Sequence, residues 1–129
     1  MSHAWAFGRR VLLWMATLMT ISACVQEQPQ VSYRTQVEPI LQEHCKECHS
    51  RNGEGYKKSG FSVESYDQLM KGTRLGAVVV PGAAITSTLY ILVTGKADPS
   101  ISMPHGRKPL SEYDIKLIKN WIDQGAKNN

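Results

Sequence analysis

Residues 44–56 read HCKECHSRNGEGY, with thiols at Cys45 and Cys48 and an imidazole at His49. On a helical turn, positions i, i+3 and i+4 share one face, so the three side chains address the same flat object. Thiols at this spacing serve three chemistries. A zinc ribbon needs a second close ligand pair, but the only other cysteine is Cys24, and His44 and His105 do not supply one. A thioredoxin-like redox pair needs a βαβ setting, which the sequence does not show. Haem offers two vinyl groups that take thiols as thioethers and an iron that takes an imidazole nitrogen, and CxxCH is its attachment pattern. The stretch therefore predicts one covalent haem c, with Cys45 and Cys48 as its thioether residues and His49 as an axial iron ligand.

The leader says where such a group would be attached. Arg9 and Arg10 precede VLLWMATLMTISA, 13 residues without a charge, and Cys24 ends the run. That is short of the ~20 residues of a membrane-spanning helix and fits the ~7–15 of a signal-peptide core. The end, Ile21-Ser22-Ala23-Cys24, resembles the bacterial lipoprotein signal, in which the cysteine receives a diacylglyceryl group before cleavage. The expected organisation is a signal peptide over 1–23, a polar tether over 24–31 and one domain over 32–129. Lipidated Cys24 would hold the domain at the periplasmic side of a bacterial membrane, and the absence of Asp at position 25 points to the outer one.

Composition excludes other classes. The chain of 129 residues has a net charge of +4, and taking Arg9 and Arg10 from its 15 Lys and Arg leaves 13 against 11 Asp and Glu. That dispersed balance is too weak for nucleic acid, which needs clustered cations to displace counterions. One ordinary domain, expected to be monomeric, accounts for the whole length.

A haem iron held by His49 has a second face, and its ligand decides the chemistry. His44 abuts Cys45 and does not reach across the ring. Met70 lies in a short helical pattern and reads as core filler. Met103 lies in ADPSISMPHGRKPL, a loop able to drape over the far side, where Pro104 stiffens the backbone. Met103 is the candidate sixth ligand, and His105, two residues on, is its rival. Tyr56, Lys57, Lys58, Arg74 and Trp121 are candidate partners for the haem propionates.

The remainder reads as helical scaffold. Thr35-Gln36-Val37-Glu38 has the form of a capping box opening a helix that buries Val37, Ile40 and Leu41, with Pro39 in its first turn. Ser111 opens a last helix with Leu117, Ile118, Trp121 and Ile122 on the buried stripe, and Gly125 ends it. SRNGEGYKKSG reads as loop, Gly72 ends a helix around 66–71, and Pro81-Gly82 is a type II turn. Ser87 is expected to cap a helix over 88–94, with a small hairpin as the alternative.

In order, VEPILQEHCKECH, KGTRLGAVVVPG, Ser87 to Tyr90, Met103-Pro104 and LSEYDIKLIKNWIDQGA together resemble the class I cytochrome c superfamily, most closely its planctomycete-type domain. The resemblance implies an all-α fold in which first and last helices cross around one covalently bound haem. It assigns Cys45 and Cys48 to the thioethers, His49 to the proximal position and Met103 to the distal one. Function is then expected to be electron transfer with redox partner proteins, without catalysis. An open distal site would make the domain a gas sensor or peroxidase-like instead.

Overall fold

A computed structural model describes residues 28–129, so the expected signal peptide, Cys24 and the first part of the expected tether lie outside the described residues. Helices α1 (Glu38–His44), α2 (Lys46–His49), α3 (Glu54–Ser59), α4 (Tyr66–Lys71), α5 (Thr88–Val93) and α6 (Glu112–Asp123) follow an opening π turn at Tyr33–Val37, and a 3₁₀ turn at Ala84–Thr86 precedes α5. Among the described residues the only β pairing is an isolated bridge between Thr73 and Gly76, so the architecture is all-α.

The chain enters its first helix earlier than the Thr35 capping box predicts. Ser32 is the cap: its hydroxyl accepts from the Thr35 N–H, and its own N–H donates to Gln36 Oε1 at 2.9 Å. The reciprocal bond of a capping box thus forms one residue wider, and the Val37 N–H reaches back to the Ser32 carbonyl at 3.3 Å. This wide turn brings both Tyr33 and Val37 into the core. From there α1 runs as expected, with Pro39 in its first turn and Ile40 and Leu41 buried.

The opening turn packs on α6. The Tyr33 ring centroid lies 5.4 Å from that of Trp121 and 5.2 Å from that of Tyr66. Aromatic pairs at such distances add about 0.5–1.5 kcal/mol each beyond their buried area. Hydrogen bonds join the two ends of the domain: the Arg34 N–H donates to the Asn129 carbonyl at 3.0 Å, and the Val31 N–H to the Gln124 side-chain Oε1 at 2.7 Å. Burial pushes the Tyr33 phenol up to about 12, and its hydroxyl has no partner among the described residues.

Helix α6 follows the sequence reading closely. The Ser111 hydroxyl accepts from the Asp114 N–H, Ile118, Trp121 and Ile122 are buried, and Gly125 takes the positive φ, 98°, that follows a helix end. Leu117 departs from the expected stripe, being only partly buried.

One middle segment differs from expectation, and a second forms the expected turn and helix but differs in how Ser87 is used. SRNGEGYKKSG contains α3, bracketed by extended Gly53 and left-handed Gly60, with Glu54 in its first turn and Lys57 and Lys58 in its last. Those charges complement the helix dipole, and Arg74 donates to the Lys57 and Lys58 carbonyls at 2.8 and 3.0 Å. A capped single turn needs no apolar stripe, which is why glycine-rich composition reads as loop. After Val80-Pro81-Gly82-Ala83, where the Ala83 N–H reaches the Val80 carbonyl at 3.0 Å and Gly82 has φ 82°, the chain enters α5. The hairpin alternative does not form. Ser87 stands at the cap position of α5, yet its buried hydroxyl serves the preceding turn, accepting from the Val80 N–H at 2.8 Å and donating to the Ala83 carbonyl at 2.9 Å.

Candidate functional site

A cavity of about 410 Å³ opens between the α2 turn, α3, α5 and the loop that leads to α6. Cys45, Cys48 and His49 line one side of it, and Met103 and His105 line it from the loop. Residues nearly sixty positions apart in the chain thereby share one space. Phe61, Val78, Leu89, Leu92 and Val93 supply apolar wall, which suits a flat, largely apolar ligand held by a few polar groups.

The thiol-bearing turn is built without a side-chain cap. Helix α1 stops at Cys45, and the chain restarts as α2, with the Cys48 and His49 N–H groups both bonded to the Cys45 carbonyl at 3.2 and 2.9 Å. Cys45 and Cys48 are not joined in a disulfide. Burial, with the neighbouring Cys48 second, pushes the Cys45 thiol up to about 11.

His49 is oriented from behind. Its Nδ1 lies 3.3 Å from the Phe61 carbonyl. A carbonyl only accepts, so that nitrogen carries the proton and Nε2 keeps the lone pair a metal requires. The Phe61 ring meets the imidazole edge-on at 5.1 Å, and the Val63 N–H donates to the His49 carbonyl at 2.9 Å. Burial lowers the His49 pKa, the Phe61 hydrogen bond acting in the opposite sense, and the neutral ring is the ligating form.

Two glycines let the following chain pass close to this turn. A Cβ on Gly53 would lie 2.3 Å from the Cys48 carbonyl oxygen, and one on Gly55 would lie 2.7 Å from His49 Cε1. The donor set therefore fits a covalent haem on three counts: paired thiols at thioether spacing, a neutral imidazole with its outer nitrogen already held, and an apolar wall facing them.

On the opposite side, the Met103 N–H donates to the Leu92 carbonyl at 3.0 Å, tying the loop to the end of α5. Met103 is partly buried and packed against the core, whereas His105 is exposed. Met70, the expected core filler, packs against the core and is absent from the cavity lining. His44 does line the cavity, next to Cys45.

The candidate propionate partners are mostly accounted for elsewhere. Trp121 is buried, and its Nε1–H donates to the Lys127 carbonyl at 2.9 Å. Arg74 is occupied by the α3 carbonyls. Of that set only Lys58 lines the cavity. Sequence reasoning missed Phe61, Gly53, Gly55 and Arg107. The pair of glycines in NGEG, so soon after CxxCH, was the one signal of a close approach.

A small all-α fold that presents CxxCH to an apolar cavity is the arrangement expected of a cytochrome c domain. Residues 45–105 match the family model described as planctomycete cytochrome C. The match covers just under half of the chain, and over that stretch the chain is similar to a planctomycete cytochrome c domain. The structure is similar to that of Kuenenia stuttgartiensis hydrazine synthase, with a TM-score of 0.52 and 24% sequence identity, over 74% of this chain and 16% of that one. A likeness at that identity concerns the fold, and the chain spans only that small share of the larger protein. Comparison with curated proteins found no match.

Proposed function

We propose that this chain is a mono-haem electron carrier held outside the cytoplasm by a lipid on Cys24. The observation that carries the reading is the convergence of Cys45, Cys48, His49 and Met103 on one cavity. Cys45 and Cys48 would hold the haem through thioethers, and His49, oriented by the Phe61 carbonyl, would supply the proximal nitrogen. Met103, whose backbone is tied to Leu92, would supply the distal sulfur.

The haem, when bound, supplies reversible one-electron Fe(III)/Fe(II) exchange. The protein's part is to fill both axial positions and to surround the ring with Phe61, Val78, Leu89 and Val93. Filled positions leave no place for substrate or oxygen on the iron, and a methionine ligand raises the potential relative to two histidines.

The optical spectrum tests the assignment. The oxidised native protein is expected to show the methionine-to-ferric-iron band. Met103→Ala should abolish it and let carbon monoxide bind the ferrous protein readily, while His105→Ala should preserve it. Absence of the band from the native protein, with carbon monoxide binding only after His105→Ala, would give the distal role to the histidine. Ready carbon monoxide binding by the untreated native protein would instead favour the open-site reading as a gas sensor or peroxidase-like domain.

The anchor has its own test. No helix among the described residues is long and apolar enough to cross a membrane. Attachment would therefore depend on the leader. Cys24→Ala is expected to move haem absorbance from the membrane fraction to the soluble periplasmic fraction, and an unchanged distribution would argue against lipidation.

A further inference from the structure

The segment from Met103 to Arg107 crosses the rim of the cavity and is fastened at both ends. At one end the Met103 N–H is bonded to the Leu92 carbonyl of α5 at 3.0 Å. At the other, the Arg107 guanidinium forms an ion pair with the Glu47 carboxylate. Glu47 is the residue between Lys46 and Cys48 in the CxxCH turn, so this contact joins the loop to the element that carries His49.

The remaining polar contacts of the loop are local. Ile101 and Ser102 donate to the Asp98 carbonyl, the Ser102 hydroxyl also donates to the Ala97 carbonyl, and the Arg107 N–H returns to Pro104. Among the described residues, Arg107 to Glu47 is the one hydrogen bond or ion pair that links the loop to the thiol-bearing turn. Arg107, Met103, Pro104 and His105 all line the cavity, so a restraint at Arg107 acts on the backbone that presents Met103.

We propose that Arg107 is a positioning residue: its ion pair with Glu47 straps the loop across the cavity and holds the Met103 sulfur at the distal position. The inference rests on the reading of Met103 as distal ligand. Both partners are partly exposed, with side chains 41% and 71% accessible, so the pair contributes little to global stability and is open to screening by salt. A short loop that exchanges between two positions responds to a small bias that a whole domain does not register.

The measurement is carbon monoxide association with the ferrous holoprotein, because the gas enters only when the methionine leaves. Arg107→Gln and Glu47→Gln are each expected to raise the rate about threefold, the range an exposed ion pair spans. The double variant should be no faster than either single one, since both remove the same contact. High salt should raise the native rate by a similar factor and leave the variants unchanged. Exchanging the charges, Glu47→Arg with Arg107→Glu, should restore the native rate. Retention of the haemochrome spectrum in each variant confirms that the haem turn is intact. Native protein that shows the methionine band, together with variants of native rate and native salt response, would overturn the strap alone. Native protein that lacks the band would overturn the distal assignment and the strap with it.

Discussion

Changing Cys45 and Cys48 together to serine is expected to give a chain whose haem is extracted completely by acidified organic solvent, whereas the native chain retains all of it. A serine oxygen does not add to a vinyl group as a thiol does, so both covalent links are lost while the shape of the turn is preserved. The consequence for folding is large. A cavity of about 410 Å³ separates α2 and α3 from α5 and the Met103 loop. At ~24 cal/mol per Å³, leaving that volume empty costs about 10 kcal/mol, an upper figure because water enters from the open side. The whole stability of a domain is ~5–15 kcal/mol. The haem-free chain should therefore lose much of its helical circular dichroism, and the double variant should melt far below the native protein. Haem that resists extraction from the double variant would refute the attachment. A haem-free chain with native helicity would show that the cavity closes without its ligand.

Gly53→Ala is expected to weaken both the fold and haem attachment, although the backbone there suits any residue. Gly53 has φ −77° and ψ 150°, ordinary extended values, so the substitution introduces no conformational strain. Its methyl group would instead lie 2.3 Å from the Cys48 carbonyl oxygen and 2.7 Å from that of Glu47. Neither atom belongs to a flexible side chain, so the turn holding Cys48 and His49 must move. Overpacking of this kind costs about 1–3 kcal/mol, or ~5–20 °C in Tm for a domain of this size. A lower yield of covalent haem is expected with it, because the thiols shift relative to each other. Gly95→Ala is the informative contrast: Gly95 has a positive φ of 67° but nothing within 4 Å of its Cβ position. That variant should show a backbone cost of roughly 1–2 kcal/mol with native haem content. Equal haem yields for the two variants would remove the special role of Gly53.

The turn at Gly53 also shows where reading the sequence stops. CxxCH declares its ligand because thioether and imidazole chemistry constrain residue type and spacing within one helical turn. Helix α6 is legible for a similar reason: Ser111, the period of Ile118, Trp121 and Ile122, and Gly125 are all local signals that agree. Short elements resist the same treatment. Helix α3 spans Glu54–Ser59 and buries no side chain, so it carries no apolar period and depends on Arg74, which lies well outside its own segment. The cap expected at Thr35 forms instead at Ser32, in a turn that brings Tyr33 against Trp121 and Tyr66.

By itself, the sequence determined that the fold is all-α and marked Cys45, Cys48 and His49 as the candidate haem-attachment turn, since those properties reside in contiguous patterns. It also kept Met103 and His105 as rivals, because residues two apart in a loop have no periodicity to separate them. Tertiary structure decided that the Met103 loop shares a cavity with His49, which carbonyl meets its Nδ1, and that Arg107 meets Glu47. Trp121 left the haem surroundings for the core by the same route. Contacts of that kind join segments far apart along the chain, and they exist only once the helices have packed.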